Sequence, residues 1–267
     1  MKDGDTAHAK YLTYSDYLAL DELLSLQRPR AGEHDEMLFI VIHQVYELWF
    51  KQLLHELDYV AGLLGEGSLP PVLHTMKRIL TILKVQVAQL DILETMTPLE
   101  FLSFRARLEA ASGLESFQFR ELEFALGVKR PSVLERYPEG SVARGRLERR
   151  YREPTLWDAF LHYLVGEGYE VPVAALARDH TAAPEPSEGV QQVLVRVYNE
   201  NPWIAQLCER LVDLDEGLQE WRYRHVKMVE RTIGAKPGTG GTLGAAYLRS
   251  TLSDPVFPDL WAIRSSL

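Results

Sequence analysis

The sequence predicts an all-α protein that folds as one helical, bundle-like domain. Apolar residues recur at steps of three and four along most of the chain, which places them on one side of an α-helix. No stretch alternates apolar and polar residues as a half-buried strand does, and no internal repeat is visible. We expect an N-terminal arm at 1–30 and a domain at 31–267, with an irregular helical insertion at about 128–187.

Composition and charge exclude several classes of protein. Hydrophobic residues make up 46% of the 267, which is enough for a large core. A net charge of −9 argues against a nucleic-acid binder, which needs a basic surface. The single cysteine, Cys208, excludes an intrachain disulfide and indicates a reducing compartment. We find no apolar leader and no uninterrupted apolar span, so we expect a soluble, cytoplasmic protein without a membrane partner.

The arm carries large side chains in a segment too short to form its own core. Tyr14, Tyr17 and Leu18 lie in a short predicted helix. Exposed aromatic residues of this kind mark either a surface that a partner buries or side chains folded back on their own domain.

Four helices are predicted before the middle of the chain. They cover about 35–64, 71–96, the stretch from Thr97-Pro98 to the break at Ala111-Ser112-Gly113, and 115–126. Asp35 is a plausible N-cap of the first, where acids suit the helix dipole. Thr97 caps the third, with Pro98 at the first helical position. Gly127 ends the fourth.

The middle is the least regular part of the sequence. It contains a run of arginines that we interpret as a solvated face or a subunit contact: Arg144, Arg146, Arg149, Arg150 and Arg152. Further helices are predicted at 155–165, 188–199, from Pro202 to Gly234, and at 243–252, followed by a tail with Phe257 and Trp261.

The helix that ends at Gly234 carries one histidine on its apolar stripe. The stripe is Leu207, Leu211, Leu214, Leu218, Trp221, His225 and Met228. His225 is either a core histidine whose ring nitrogens find internal partners, or a metal ligand, most naturally of haem iron. The loop after it, Lys236-Pro237-Gly238-Thr239-Gly240-Gly241, has a backbone that can approach a ligand closely.

Two further positions suit ligand binding. Phe39 and His43 are one helical turn apart, and such a pair can pack on a planar ring and hydrogen-bond it. Arg105 follows an apolar run and can bind a carboxylate through two parallel hydrogen bonds. Alone, the pair is more often core, and the arginine more often an exposed salt bridge.

Four ordered blocks of the sequence resemble the tryptophan 2,3-dioxygenase family. They are HDEMLFIVIHQVYELWFKQLLHE (34–56), LETMTPLEFLSFR (93–105), SFQFRELEFALG (116–127) and WRYRH…GTGG (221–241). The resemblance implies an all-helical homotetramer, arranged as a dimer of dimers, with one haem b per subunit that is active as ferrous iron. Its implied reaction opens the indole ring of L-tryptophan with O2 to give N-formylkynurenine.

The resemblance also implies roles for single residues. His225 matches the axial ligand of the haem iron. His43 matches the histidine that forms a hydrogen bond with the indole N–H. Phe39 matches the residue that packs on the indole, and Arg105 the one that holds the substrate carboxylate. The remaining implied substrate contacts are Thr239 and Gly113 and, lent by a neighbouring subunit, Tyr14, Tyr17 and Leu18.

Departures from the family pattern leave alternatives open. Leu114-Glu115 stand where the family usually has Phe-Gln, and Phe101 where some members have tyrosine. The change beside Gly113 leaves open a haem monooxygenase that converts tryptophan, or a substituted tryptophan, to an oxindole. We expect Glu115 to face outward or to meet an arginine, because burying an unpaired carboxylate is costly.

Two rival interpretations use the same residues differently. A non-haem iron oxygenase would take His34, Glu36 and a distant histidine as its metal ligands. A haem-binding protein without catalytic activity would use His225 but leave His43, Arg105 and Thr239 without a role.

Overall fold

The computed structural model describes residues 11–109, 111–238, 245–250, 252 and 254–267. Within these ranges the chain forms helices and turns and no strand, which confirms the predicted all-α class. The helices are α1 (Tyr14–Leu18), α2 (Leu20–Leu24), α3 (His34–Gly65), α4 (Leu69–Leu93), α5 (Pro98–Arg105), α6 (Phe117–Leu126), α7 (Val142–Arg152), α8 (Leu156–Gly166), α9 (Val173–Leu176), α10 (Glu188–Glu200), α11 (Pro202–Ile233), α12 (Ala245–Ser250) and α13 (Pro258–Ala262).

Three long helices form the centre of the core. α4 packs along both α3 and α11, and the Tyr46 hydroxyl of α3 donates to the Gln86 carbonyl of α4 at 2.6 Å. The apolar stripe predicted on α11 is confirmed, because its leucines are buried: Leu207, Leu211, Leu214 and Leu218. No helix in the described ranges is both long and apolar enough to cross a membrane.

The middle of the chain is more regular than the sequence suggests. α7 is a continuous helix, and α8 packs on α3 with Phe160 fully buried. Arg146 pairs with Glu121 at 2.7 Å, and Arg150 with Asp58 at 2.6 Å. These two arginines therefore join α7 to α6 and α3, a role that the interpretation of the run as a solvated face or a subunit contact did not include.

The helix boundaries differ from the sequence prediction at several N-termini, and α6, for example, begins at Phe117 rather than at 115. α3 begins one residue earlier, at His34, with Glu33 as its N-cap, so the predicted cap Asp35 lies in the first turn. α4 begins at Leu69, because Pro70 fits the first turn, where the missing N–H is not needed. The cap of α5 is confirmed: the Thr97 and Glu100 side chains each accept a hydrogen bond from the other's backbone N–H.

A buried carboxylate fastens the C-terminal tail to α11. Asp215 Oδ2 accepts hydrogen bonds from the backbone N–H of Val256 at 2.8 Å and of Phe257 at 3.0 Å, and from Trp261 Nε1 at 2.9 Å. Its other oxygen accepts from Gln219 at 2.9 Å. One side chain thereby satisfies three donors of the tail that would otherwise be buried without an acceptor.

We expect Asp215→Ala to destabilise the protein by about 3 kcal/mol, because each buried donor left without an acceptor costs about 1–3 kcal/mol. Urea unfolding followed by tryptophan fluorescence would measure the loss. Asp213→Ala is the matched control: it lies on the same helix, but its carboxylate pairs with Arg210 near the surface. Equal stabilities for the two variants would contradict the role of Asp215.

Candidate active site

One large cavity brings most of the predicted site residues together. Phe39, His43, Arg105, Gly113 and His225 all line it. Its empty volume is about 1570 Å³, a figure that includes open solvent at the mouth. Aromatic and aliphatic side chains line it together with a few polar ones, as is typical of sites for organic ligands.

Among the remaining predicted residues, the three on the arm do not line this cavity in the single chain. Thr239 lies outside the described residues, although Gly238 just before it borders the cavity. Tyr14, Tyr17 and Leu18 are exposed on the arm, at 76%, 73% and 40%.

The wall formed by α3 presents an aromatic ring and a neutral imidazole. The Phe39 and His43 ring centroids are 4.1 Å apart, and Phe101 and Phe104 surround Phe39. His43 Nδ1 lies 2.7 Å from the Phe39 carbonyl oxygen. A carbonyl only accepts, so Nδ1 carries the proton and Nε2 keeps its lone pair. Burial lowers the pKa of His43, which keeps the ring neutral.

The part of the cavity formed by α11 presents the second histidine. The His225 ring stacks on Trp221 with 5.2 Å between centroids and 19° between planes. Burial lowers the pKa of His225 to about 4, and electrostatic interactions with His43 and with the Arg120 guanidinium act in the same direction. The imidazole is therefore neutral near pH 7, as a metal ligand must be. The cavity lining also includes apolar residues, among them Leu90, Leu93 and Met228.

Arg105 joins the cavity to the loop that follows α11. It is the last residue of α5, and its Nη2 donates to the Pro237 carbonyl. A guanidinium carries five N–H donors, so it can hold this carbonyl and a carboxylate together. The arginine is thus placed for an acid group at this edge of the cavity.

A buried charged cluster, which the sequence analysis missed, lines another part of the cavity. The Glu123 carboxylate of α6 forms three ion pairs. Its N···O distances are 2.5 Å to Arg120, 2.7 Å to Arg130 and 3.3 Å to Arg222. Glu123, Arg120 and Arg222 are almost fully buried. The sequence signal for this cluster was Arg222, which lies three residues before His225 on α11. A charged residue beside the apolar stripe needs a partner when it is buried.

The turn at 113–115 forms another part of the wall and agrees with one expectation. The Ser112 hydroxyl accepts from the Leu114 backbone N–H, and the Tyr137 hydroxyl donates to the Glu115 carbonyl at 3.2 Å. Leu114 lines the cavity, whereas the Glu115 side chain is exposed, as predicted.

The rival metal site is not formed. The His34 side chain is 99% exposed, and the Glu36 carboxylate accepts from the backbone N–H groups of Arg30 and Ala31. Nowhere in the described ranges do three His, Cys, Asp or Glu side chains come together to hold a metal ion.

Comparison with known proteins identifies close relatives. The family model described as tryptophan 2,3-dioxygenase matches residues 2–163 and 186–267. The chain is 60% identical over 258 residues to a protein of that name from Herpetosiphon aurantiacus, covering 96% of this chain and 98% of the relative. It is 57% identical to one from Anaeromyxobacter dehalogenans, covering 98% of each. For one from Caulobacter vibrioides the identity is 45%, over 97% of this chain and 100% of the relative.

Proposed function

The chain belongs to the tryptophan 2,3-dioxygenase family, and from that membership we propose that it opens the indole ring of L-tryptophan with O2, giving N-formylkynurenine. The observation that supports this most is the shared cavity, which is lined by two neutral histidines, His43 and His225, together with Phe39 and Arg105. A prosthetic group with a metal ion needs a neutral histidine, and an aromatic amino acid needs an apolar wall and a cation for its carboxylate.

The residues present fit haem b. His225 offers a neutral imidazole that lines the cavity, and it would hold the haem iron. Haem b carries two carboxylates, and Arg120, Arg130 and Arg222 line the same cavity. Three guanidiniums grouped around one buried glutamate suit the binding of further acid groups. When bound, ferrous haem supplies the redox chemistry that activates O2.

The chain's own side chains orient the substrate. In this proposal Phe39 packs on the indole ring. His43 Nε2 accepts a hydrogen bond from the indole N–H, because Nδ1 already donates its proton to the Phe39 carbonyl oxygen. Arg105 binds the carboxylate at the cavity edge. Thr239 and Gly113 contact the amino-acid end of the substrate.

The arm would complete the cavity of a neighbouring subunit in a homotetramer. Tyr14, Tyr17 and Leu18 are exposed in the single chain, although large apolar side chains gain stability when they are buried. In the assembly they close the neighbour's substrate pocket. This also explains why the residues with family-implied substrate contacts on α1 do not line their own chain's cavity.

The decisive experiment uses ferrous protein, tryptophan and isotopically labelled O2, with mass spectrometry of the product. We expect both labelled oxygen atoms in N-formylkynurenine. One labelled atom in an oxindole would favour the monooxygenase alternative, for which Leu114 on the cavity wall is the motivating observation. A haem-loaded protein that consumes no O2 with any indole would favour a binding protein.

The arginine cluster leads to a separate prediction about haem affinity. The wild-type protein should release haem b more slowly than it releases haem b dimethyl ester, a derivative whose two esterified carboxylates carry no charge. Arg222→Gln should shrink this preference about tenfold, since a hydrogen bond to a charged group contributes about 1.5–3 kcal/mol. Transfer of each haem to an excess of apomyoglobin gives the two dissociation rates.

Arg210→Gln is the matched control, because Arg210 lies on the same helix and pairs with Asp213 near the surface. It should keep the wild-type preference. A variant of Arg222 that released both haems faster by the same factor would show a general packing defect and contradict recognition of the carboxylates.

A further inference from the structure

The base of the arm is tied to α3 by a buried carboxylate. Glu36 Oε1 accepts from the Arg30 backbone N–H at 2.8 Å, and Oε2 accepts from that of Ala31 at 2.7 Å. Glu36 is 3% exposed, and Ala31 packs against the main core. Burial alone would raise the pKa of Glu36, but hydrogen bonds from the backbone of Arg30, Ala31 and Gly32 lower it overall. The carboxylate is therefore ionised and holds this backbone through charge-assisted hydrogen bonds.

The turn between the arm and α3 has a fixed shape. Gly32 has a φ of +74°, in the left-handed region that favours glycine, two residues before α3 begins at His34. Glu36 spans this turn from the first turn of α3 back to Arg30 and Ala31. The direction in which the arm leaves the domain thus depends on one side chain.

A second contact holds the arm two turns further along α3. Gln27 Nε2 donates to Gln44 Oε1 at 2.6 Å, and Gln44 Nε2 donates to the Leu26 carbonyl at 3.3 Å. Beyond these residues the arm is exposed, with Tyr17 at 73% and Leu24 at 71%. Its root is fixed on α3, while its apolar tip has no comparable contact among the described residues.

We propose that Glu36 is a positioning residue that aims the arm at the substrate pocket of a second copy of this chain. The inference rests on the proposed role of the arm and goes beyond it by naming what sets the arm's direction. Glu36 touches neither substrate nor cofactor; it acts through Tyr14 and Tyr17, which it places. Gln44 supports the same orientation more weakly, since its contacts are between neutral groups at a partly exposed site.

The first test is Glu36→Gln in the full-length, haem-loaded protein. The amide keeps the shape of the carboxylate but replaces one acceptor oxygen with an N–H2 that faces a backbone N–H. We expect KM for tryptophan to rise about tenfold, the factor that corresponds to one lost charge-assisted hydrogen bond. Haem content per subunit should stay at the wild-type level, because α11 is untouched.

Asp35→Asn is the matched control, since it removes the same charge from the same turn of α3 without releasing the arm. It should keep the wild-type KM. Wild-type protein that does not turn over tryptophan would refute the proposed function itself. A wild-type KM in Glu36→Gln, beside an active wild-type enzyme, would overturn only the role of Glu36.

Mixed oligomers separate positioning in a neighbour from a defect in the same subunit. Co-expressed Glu36→Gln and His225→Ala chains, purified through two different tags, would place intact arms from the second chain over the pockets of the first. We expect a fraction of sites with the wild-type KM. A mixed enzyme with the KM of Glu36→Gln at every active site would overturn the proposal. If Glu36→Gln does not fold, Gln44→Ala takes its place, with a smaller rise in KM and the same expected rescue.

Discussion

Replacing His225 with alanine is expected to give a folded protein that purifies almost without haem. The imidazole is the only group we propose to bond the iron, and its removal leaves an apolar surface beside Trp221 and Met228. The absorption band of haem should fall to a small fraction of the wild-type intensity per subunit. Circular dichroism should keep its helical signal, because α11 is stabilised by its leucine stripe rather than by His225.

His43→Ala is the matched comparison, since it removes the other histidine of the same cavity. It should keep haem and instead bind or turn over tryptophan poorly, because the acceptor for the indole N–H is lost. The reverse pattern, with haem lost from His43→Ala and retained by His225→Ala, would exchange the two roles. Added imidazole should restore part of the haem binding to His225→Ala by filling the space that the side chain left.

Replacing Arg105 with alanine is expected to cost about 2–5 kcal/mol in kcat/KM for tryptophan, roughly 30- to 4,000-fold, as removal of one partner of a desolvated charge pair does. Tryptamine, which has no carboxylate, should lose much less. The variant loses the Arg105 contact with Pro237 whichever substrate is used. The ratio of the two losses in kcat/KM therefore measures the contribution of the substrate carboxylate alone.

Arg107→Ala serves as the control for this experiment, because Arg107 is an exposed arginine two residues further along the chain. It should leave both substrates near their wild-type rates. Equal losses of tryptophan and tryptamine activity in Arg105→Ala would show that the arginine shapes the loop and does not recognise the carboxylate.

Periodicity was enough to predict the helices that build the cavity. The leucine stripe of α11 needs only a buried side, and Thr97-Pro98 fixes the start of α5 through local hydrogen bonds. The arginines of α7 show where this approach fails. Their partners, Glu121 and Asp58, lie on other helices, and a charge pattern alone does not reveal contacts between distant segments.

In the candidate active site, too, local pairs could be predicted from the sequence and contacts between distant segments could not. Phe39 and His43 share a helical face, so their pairing follows from spacing. The packing that brings His43 of α3 and His225 of α11 into one cavity joins distant segments, and in the sequence analysis only the family resemblance indicated it. Glu123 was missed because two of its arginine partners, Arg130 and Arg222, lie outside α6, and only Arg120 is its neighbour on the same helix.

The packing of α4 against both α3 and α11 has a genetic consequence. None of the side chains proposed to ligate iron or to orient the substrate is on α4, yet this helix packs on both helices that carry the histidines, and its Met76 and Ile79 are buried. A smaller residue there would loosen both walls at once, so haem and tryptophan affinity would weaken together. In a screen for loss of function, such alleles would be recognised by temperature sensitivity and would not be rescued by excess tryptophan alone.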